Sequence, residues 1–341
     1  KLWKDMTVEM KDEIKKNAPE FYYQMDENFG IHSKVATTVS EIHQARTRLS
    51  NVKFQKPENI LYGYYNPEKK TYQTNVIHET YNRFFPLKLL VTTLASMIHK
   101  KIDIPGNTEW IDYEEFKEEA LEFAQEISNK LKKIKQKAGR SERISTGLPI
   151  GFPHNQLPDK IEASNERFLK CFVGHKGATQ IFAGKPIHRG ALNETGLVYV
   201  QKNKHRKLEI TLSKIGYDFF NCDNTFLDNI KVKDLATGET EFHKNDDGLI
   251  DKKVFSDDEM NFITKEIITR FDLEEKIVDS VIKWMKNKSE VNAIQLDTPI
   301  EKTVLDWVKK NKLRAVDEGI DPREWDGSQI SSYRHATMSR L

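Results

Sequence analysis

Between Lys202 and Lys207 the chain reads Lys202-Asn203-Lys204-His205-Arg206-Lys207, a polar run with four fixed cations and no acid. Lysine and arginine in such a run can neutralise phosphate groups, and binding built on them weakens steeply with salt. A short way upstream, Lys185, His188, Arg189 and Asn193 offer a second chemistry. Arginine and asparagine can pair with the edges of bases, while lysine and histidine add charge beside them. Near the end of the chain Arg334, His335 and Arg340 repeat these residue types.

The charge is local. The whole chain of 341 residues carries a formal net charge of only +2. From Asn165 to Phe220 there are ten Lys/Arg against four Asp/Glu, whereas Glu239 to Glu259 holds eight Asp/Glu and three Lys. A basic module followed by an acidic connector has the pattern of a confined nucleic-acid footprint.

The elements expected to position these residues follow from local pattern. Arg167 to Val173 reads as a short helix, Phe172 to Gly184 as a turn-and-helix region, and Pro186 to Thr195 as a second helix. Gly196 stops that helix. Leu197 to Val200 then forms a strand, Gln201 to Lys207 a charged hairpin tip, and Leu208 to Leu212 a returning strand with alternating faces. Ser213 caps a last helix whose Ile215, Phe219 and Phe220 face inward.

In this order of elements residues 165–220 resemble the winged-helix superfamily. That superfamily carries a recognition helix running into L-x-E-x-G-L-V, a basic wing, and then Y/I-x-L-T-x-x-G-x-x-F. Leu192, Glu194, Gly196, Leu197 and Val198 match the first part. Ile210, Leu212, Gly216 and Phe219 match the second, with Ser213 where threonine is usual. The resemblance implies a double-stranded DNA partner, with the helix 186–195 in the major groove and the wing along the backbone. Transcription regulation is the commonest task of such a module. Tandem winged helices also occur in plasmid-type replication or partition factors, and in adaptor subunits of nucleic-acid-handling assemblies. No catalytic residue and no cofactor is implied.

The rest of the chain completes a mainly α organisation with a small β wing. Residues 1–145 are expected to be an N-terminal helical domain serving a homodimer or another protein partner. Its clearest helix follows Asp112 and Glu115 in capping-box spacing, with an apolar stripe of Phe116, Ala120, Phe123, Ala124, Ile127, Leu131 and Ile134. A Pro/Gly-rich linker (146–160), the winged helix (161–230) and the acidic connector (231–254) follow. Residues 255–341 form a further helical domain and a possible second, truncated winged helix. Ser256 and Glu259 set another capping box there.

Several chemistries are set aside. Gly177 to Pro186 has the wrong spacing for a phosphate loop. The histidines are scattered, and Cys171 and Cys222 suit neither a disulfide framework nor a metal site. No stretch has the length of apolar residues a membrane span needs, and no secretory signal is evident. A cytoplasmic, nucleoid-associated protein is expected.

Overall fold

The computed structural model describes residues 8–17, 39–54, 56–63, 77, 83–102, 109–137, 147–149, 158–174, 179–182, 184–224, 227, 255–286, 288, 293–310 and 336–337. Helical periodicity produces α1 (Val8–Asn17) and α2 (Val39–Leu49), after which the chain forms the two-residue strand β1 (Ile60–Leu61). The stretch from Phe84 to Ile98 carries a single charge, Lys88, and becomes α3 (Phe85–Lys101). Pro86 occupies the first turn, where its missing N–H costs nothing. Every residue from Phe85 to Ile98 is buried, as a helix apolar on all sides requires.

β2 (Ile111–Asp112) leads directly into α4 (Tyr113–Lys137). Asp112 caps that helix: its Oδ1 accepts from the backbone N–H of Glu114 at 2.9 Å and of Glu115 at 3.2 Å. The apolar stripe through Phe116, Ala120, Phe123, Ala124 and Ile127 is buried. Farther along come α5 (Pro158–Phe168), which runs into a π turn at Leu169–Val173, the hairpin β3 (Thr179–Phe182) and β4 (Lys185–His188), and the one-turn helix α6 (Ala191–Glu194). The strands β5 (Val198–Lys202) and β6 (Leu208–Leu212) then lead to α7 (Lys214–Asn221). Ser213 caps α7 by accepting from Gly216 N at 3.0 Å.

Four strands, joined in three pairs, make one antiparallel sheet in the order β1-β5-β6-β2. β5 and β6 pair from Val198 opposite Leu212 to Lys202 opposite Leu208. Ile111 of β2 lies opposite Ile210, and Leu61 of β1 opposite Val200. β3 and β4 join the edge of this sheet through a single bridge between Tyr62 and Ile187, where His188 N donates to Tyr62 O at 2.8 Å. Val198, Val200, Ile210 and Leu212 point inward, and the alternate residues Tyr199 and Gln201 are half-exposed.

C-terminal to the acidic connector, α8 (Asp257–Phe262) passes through a π turn (Ile263–Ile267) and a 3-10 turn (Ile268–Arg270) into α9 (Asp272–Met285). The expected capping box at α8 is present, with Ser256 and Glu259 bonding each other's backbone N–H. A 3-10 turn (Ala293–Leu296) precedes α10 (Asp297–Lys310). α9 and α10 enclose a small apolar core of their own, built from Leu273, Ile277, Val281, Leu296, Ile300, Val304 and Trp307.

The main core and its sheet draw on residues from both sides of 146–160. One apolar cluster runs from Ile42 through α3 and α4 to Phe172, Val200, Phe219, Ile263 and Val278. β1 and β2, from residues 1–145, are the outer strands of the sheet whose centre is β5 and β6. The small residues packed into this core explain the close fit. Gly216 lies so near Leu197 that a Cβ there would sit 1.8 Å from the Leu197 carbonyl oxygen. Among the described residues of 255–310 there are helices and no strand, and no described helix is long and apolar enough to cross a membrane.

Candidate nucleic-acid interface

The basic run of Lys202–Lys207 sits at the tip of the β5–β6 hairpin, where Asn203 organises the turn. Its Oδ1 accepts from His205 N at 2.9 Å and Lys207 N at 3.0 Å, and its Nδ2 donates to Glu209 Oε1 at 2.9 Å. Asn203 N donates to Lys207 O at 2.8 Å, and Arg206 N returns to Asn203 O at 2.9 Å. Asn203 is thereby tied into the hairpin turn. Its side chain is engaged within the loop and braces the other five.

Lys202, Lys204, His205, Arg206 and Lys207 are all exposed, and among the described residues none has an acidic partner in an ion pair. Arg206 is the one non-glycine residue among those described with positive φ, at 62°. A side chain in that left-handed region costs roughly 1–2 kcal/mol. A glycine would carry the turn without that cost, so strain is retained together with a guanidinium at the apex.

The expected recognition helix at Pro186–Thr195 is absent. Lys185 to His188 is strand β4, and only Ala191 to Glu194 is helical. Pro186 turns the preceding residue away from helical backbone, and Gly190, at φ 154°, separates strand from helix. Thr195 ends the single turn by donating its hydroxyl to Ala191 O at 2.6 Å.

Two of the four residues assigned to that helix point inward. His188 is fully buried, with Nε2 at 2.6 Å from Tyr113 Oη and Nδ1 at 2.7 Å from Thr179 Oγ1. The Tyr113 hydroxyl also donates to Val173 O at 2.6 Å, and burial pushes its phenol well above the ordinary value. Because that hydroxyl has one proton, His188 Nε2 must be the donor to it. Asn193 is buried too, donating from Nδ2 to Leu61 O at 2.9 Å and to His188 O at 2.8 Å. These two residues fasten β4 to β1, β3 and the start of α4 and are not available to a base edge. Arg189 is half-exposed and its Nε pairs with Glu194 at 3.2 Å. Lys185 is exposed on β4, away from any helix. Arg334, His335 and Arg340 lie outside the described residues.

The structure adds residues that local pattern did not single out. Continuing the β1–β5 register places Tyr62 opposite Tyr199 on the outer face of the sheet. The exposed Lys56 lies over the Tyr62 ring at 4.8 Å. Burial raises the Tyr199 phenol, and the charges of Lys56 and Arg270 act against that shift. Two tyrosines interleaved with cations thus continue the face of β5 below the tip. Arg270 also donates to Thr195 O at 3.0 Å, over the tight turn at Gly196, where φ is 75°.

A second polar centre lies inside the fold. Lys88 Nζ donates to the carbonyls of Phe219 at 2.7 Å, Phe220 at 3.2 Å and Cys222 at 2.6 Å, closing the C-terminus of α7. It also lies 3.0 Å from Glu259, whose other oxygen accepts from Asn224 Nδ2 at 2.7 Å. Burial lowers the Lys88 ammonium and raises the Glu259 carboxyl, while their mutual attraction opposes both shifts. A lone lysine in the apolar run Phe84–Ile98 was the sequence signal for this centre.

Among the described residues no three His, Cys, Asp or Glu side chains gather as a metal site would require. No protein-family model matches the chain, and no curated protein or solved structure is significantly similar to it.

Proposed function

We propose that the chain binds double-stranded DNA without catalysing a reaction, laying the β5–β6 hairpin along the phosphate backbone as a wing. The observation that carries this reading is the hairpin tip: Lys202, Lys204, His205, Arg206 and Lys207, exposed and without acidic partners among the described residues, on a turn braced by Asn203. Cations left unneutralised on a rigid ribbon are suited to displacing the counterions of a polyanion. Lys56, Tyr62 and Tyr199 extend the same outer face with groups that contact sugar and phosphate.

The strand order supports a winged-helix arrangement. β2, β6 and β5 lie side by side, α4 follows β2, and α7 follows β6. Within this reading, regulation of transcription is the first task proposed and plasmid-type replication or partition the second. A winged-helix adaptor in a larger assembly is the alternative from another class.

Fluorescence anisotropy with labelled duplex DNA, from about 50 to 300 mM salt, separates them. Changing Lys202, Lys204, Arg206 and Lys207 together to Ala should reduce affinity and flatten the log–log salt slope by about 3–4 units. Wild-type protein that binds no duplex, or binds it no better than the fourfold variant, would put the adaptor reading first.

A further inference from the structure

We propose that the depression between α9 and α10 is a nucleotide-binding site, with the phosphate held by lysines and the base laid against Trp284. The reading does not depend on the hairpin's contact with DNA. The depression has a volume of about 560 Å³ and is lined by Lys276, Lys283, Trp284 and Lys302, with Ser280 and Pro299 between them.

The spacing of residues on α9 produces this arrangement. Lys276, Ser280, Lys283 and Trp284 recur at three- and four-residue steps and so share one face. Lys302, one turn into α10, brings a third ammonium from the opposite wall. Lys276 is tied to Asp272, but among the described residues neither Lys283 nor Lys302 has an ion-pair partner. Asp279 also lines the depression, four residues before Lys283, yet the two do not pair. The lining therefore carries an excess of positive charge that an anion would offset.

Trp284 decides which anion. Its ring is half-buried against the α9–α10 core, which holds it in place, and it still reaches the depression. The exposed Lys288 Nζ lies over the ring, 3.8 Å from its centroid, and a base stacked on that face takes the place of this ammonium. A base stacked on indole beside a phosphate on lysines combines the two contacts by which proteins hold nucleotides without reading their sequence. The depression is open, so the nucleotide could be free in solution or one unit of a single strand.

The test is isothermal titration calorimetry on the full chain with adenosine 5′-monophosphate, adenosine, inorganic phosphate and a short oligothymidylate. The monophosphate, the oligonucleotide or both should bind, and adenosine and inorganic phosphate should each bind at least about tenfold more weakly. Binding of the monophosphate alone assigns a free nucleotide; much tighter binding of the oligonucleotide assigns a strand. Lys283→Ala with Lys302→Ala should lower the affinity at least about tenfold, and Trp284→Leu roughly 5- to 100-fold. Both lysines are exposed, and equal melting temperatures will show that the lysine variant is folded. The fourfold hairpin variant should bind the monophosphate as wild type does; only the monophosphate serves for this comparison, because the hairpin cations meet the phosphates of an oligonucleotide themselves. Three results would overturn the proposal: neither nucleotide binding at millimolar concentration, the lysine variant binding unchanged, or the hairpin variant losing the monophosphate.

Discussion

The Lys88 ammonium lies 3.0 Å from the Glu259 carboxylate, with the two side chains 1% and 0% exposed. One comes from the central helix α3 and the other from the first turn of α8, so the pair fixes the C-terminal helices onto the core. Removing one partner from such a pair leaves a buried charge, at a cost of about 3–5 kcal/mol. Lys88→Met and Glu259→Gln are each expected to lower the urea midpoint on that scale. The double variant should cost less than the sum of the two, because neither charge then remains. Additive losses in the double-mutant cycle would mean that the two groups do not act together.

At the hairpin apex stability and binding are expected to separate. Arg206→Gly removes a left-handed arginine and should stabilise the fold by about 1 kcal/mol, read as a higher unfolding midpoint at unchanged slope. If Arg206 meets phosphate as proposed, the same variant weakens duplex binding and lowers the salt slope by about 1 unit. A stabilised variant that binds as before would remove Arg206 from the interface.

The elements legible in the sequence were those written locally. Asp112, Ser213 and the Ser256–Glu259 pair cap helices in the structure as their spacing required. The strand at Leu208–Leu212 and the buried stripe of α4 also correspond to what the chain forms, but burial along the strand does not alternate: Ile210, Thr211 and Leu212 are all buried. Residues 185–195 misled because their neighbours in space were invisible. Ile187 and His188 gain their strand partners from Thr179 and Gln180, while Tyr62 and Leu61 approach from more than a hundred residues away. β1 and β2, of two residues each, have no local signature, so the joining of residues 1–145 to the hairpin could not be read from pattern. At the candidate interface, the cations of the tip were legible as a charge run, whereas the bracing role of Asn203 and the Tyr62–Tyr199 pairing required the register.

Gly216 offers a sharp test of the packing between α7 and the sheet. A Cβ at this position would lie 1.8 Å from Leu197 O, an atom of backbone that cannot rotate away. Leu197 O also accepts from Ser213 N at 3.0 Å, so moving it disturbs the cap of α7. Gly216→Ala should therefore destabilise by at least about 1–3 kcal/mol, although alanine is ordinarily the better helix former. An unchanged or raised denaturation midpoint would contradict this contact.

The α9–α10 pair should loosen first in acid. Asp272 accepts from the Trp307 indole N–H at 2.7 Å and pairs with Lys276. Partial burial alone would raise its carboxyl, but the hydrogen bonds from Lys276 and Trp307 outweigh that and hold it below its ordinary value of 3.8. For a carboxyl depressed in the folded state, the stabilisation is present above 3.8 and is lost as the pH falls through the lower folded value. Trp307→Phe removes the indole donor to Oδ2, leaving Lys276 on Oδ1, and should move that loss to higher pH. The measurement is acid titration followed by far-ultraviolet circular dichroism, compared between wild type and Trp307→Phe. An identical midpoint in both would show that the indole hydrogen bond does not set the Asp272 carboxyl.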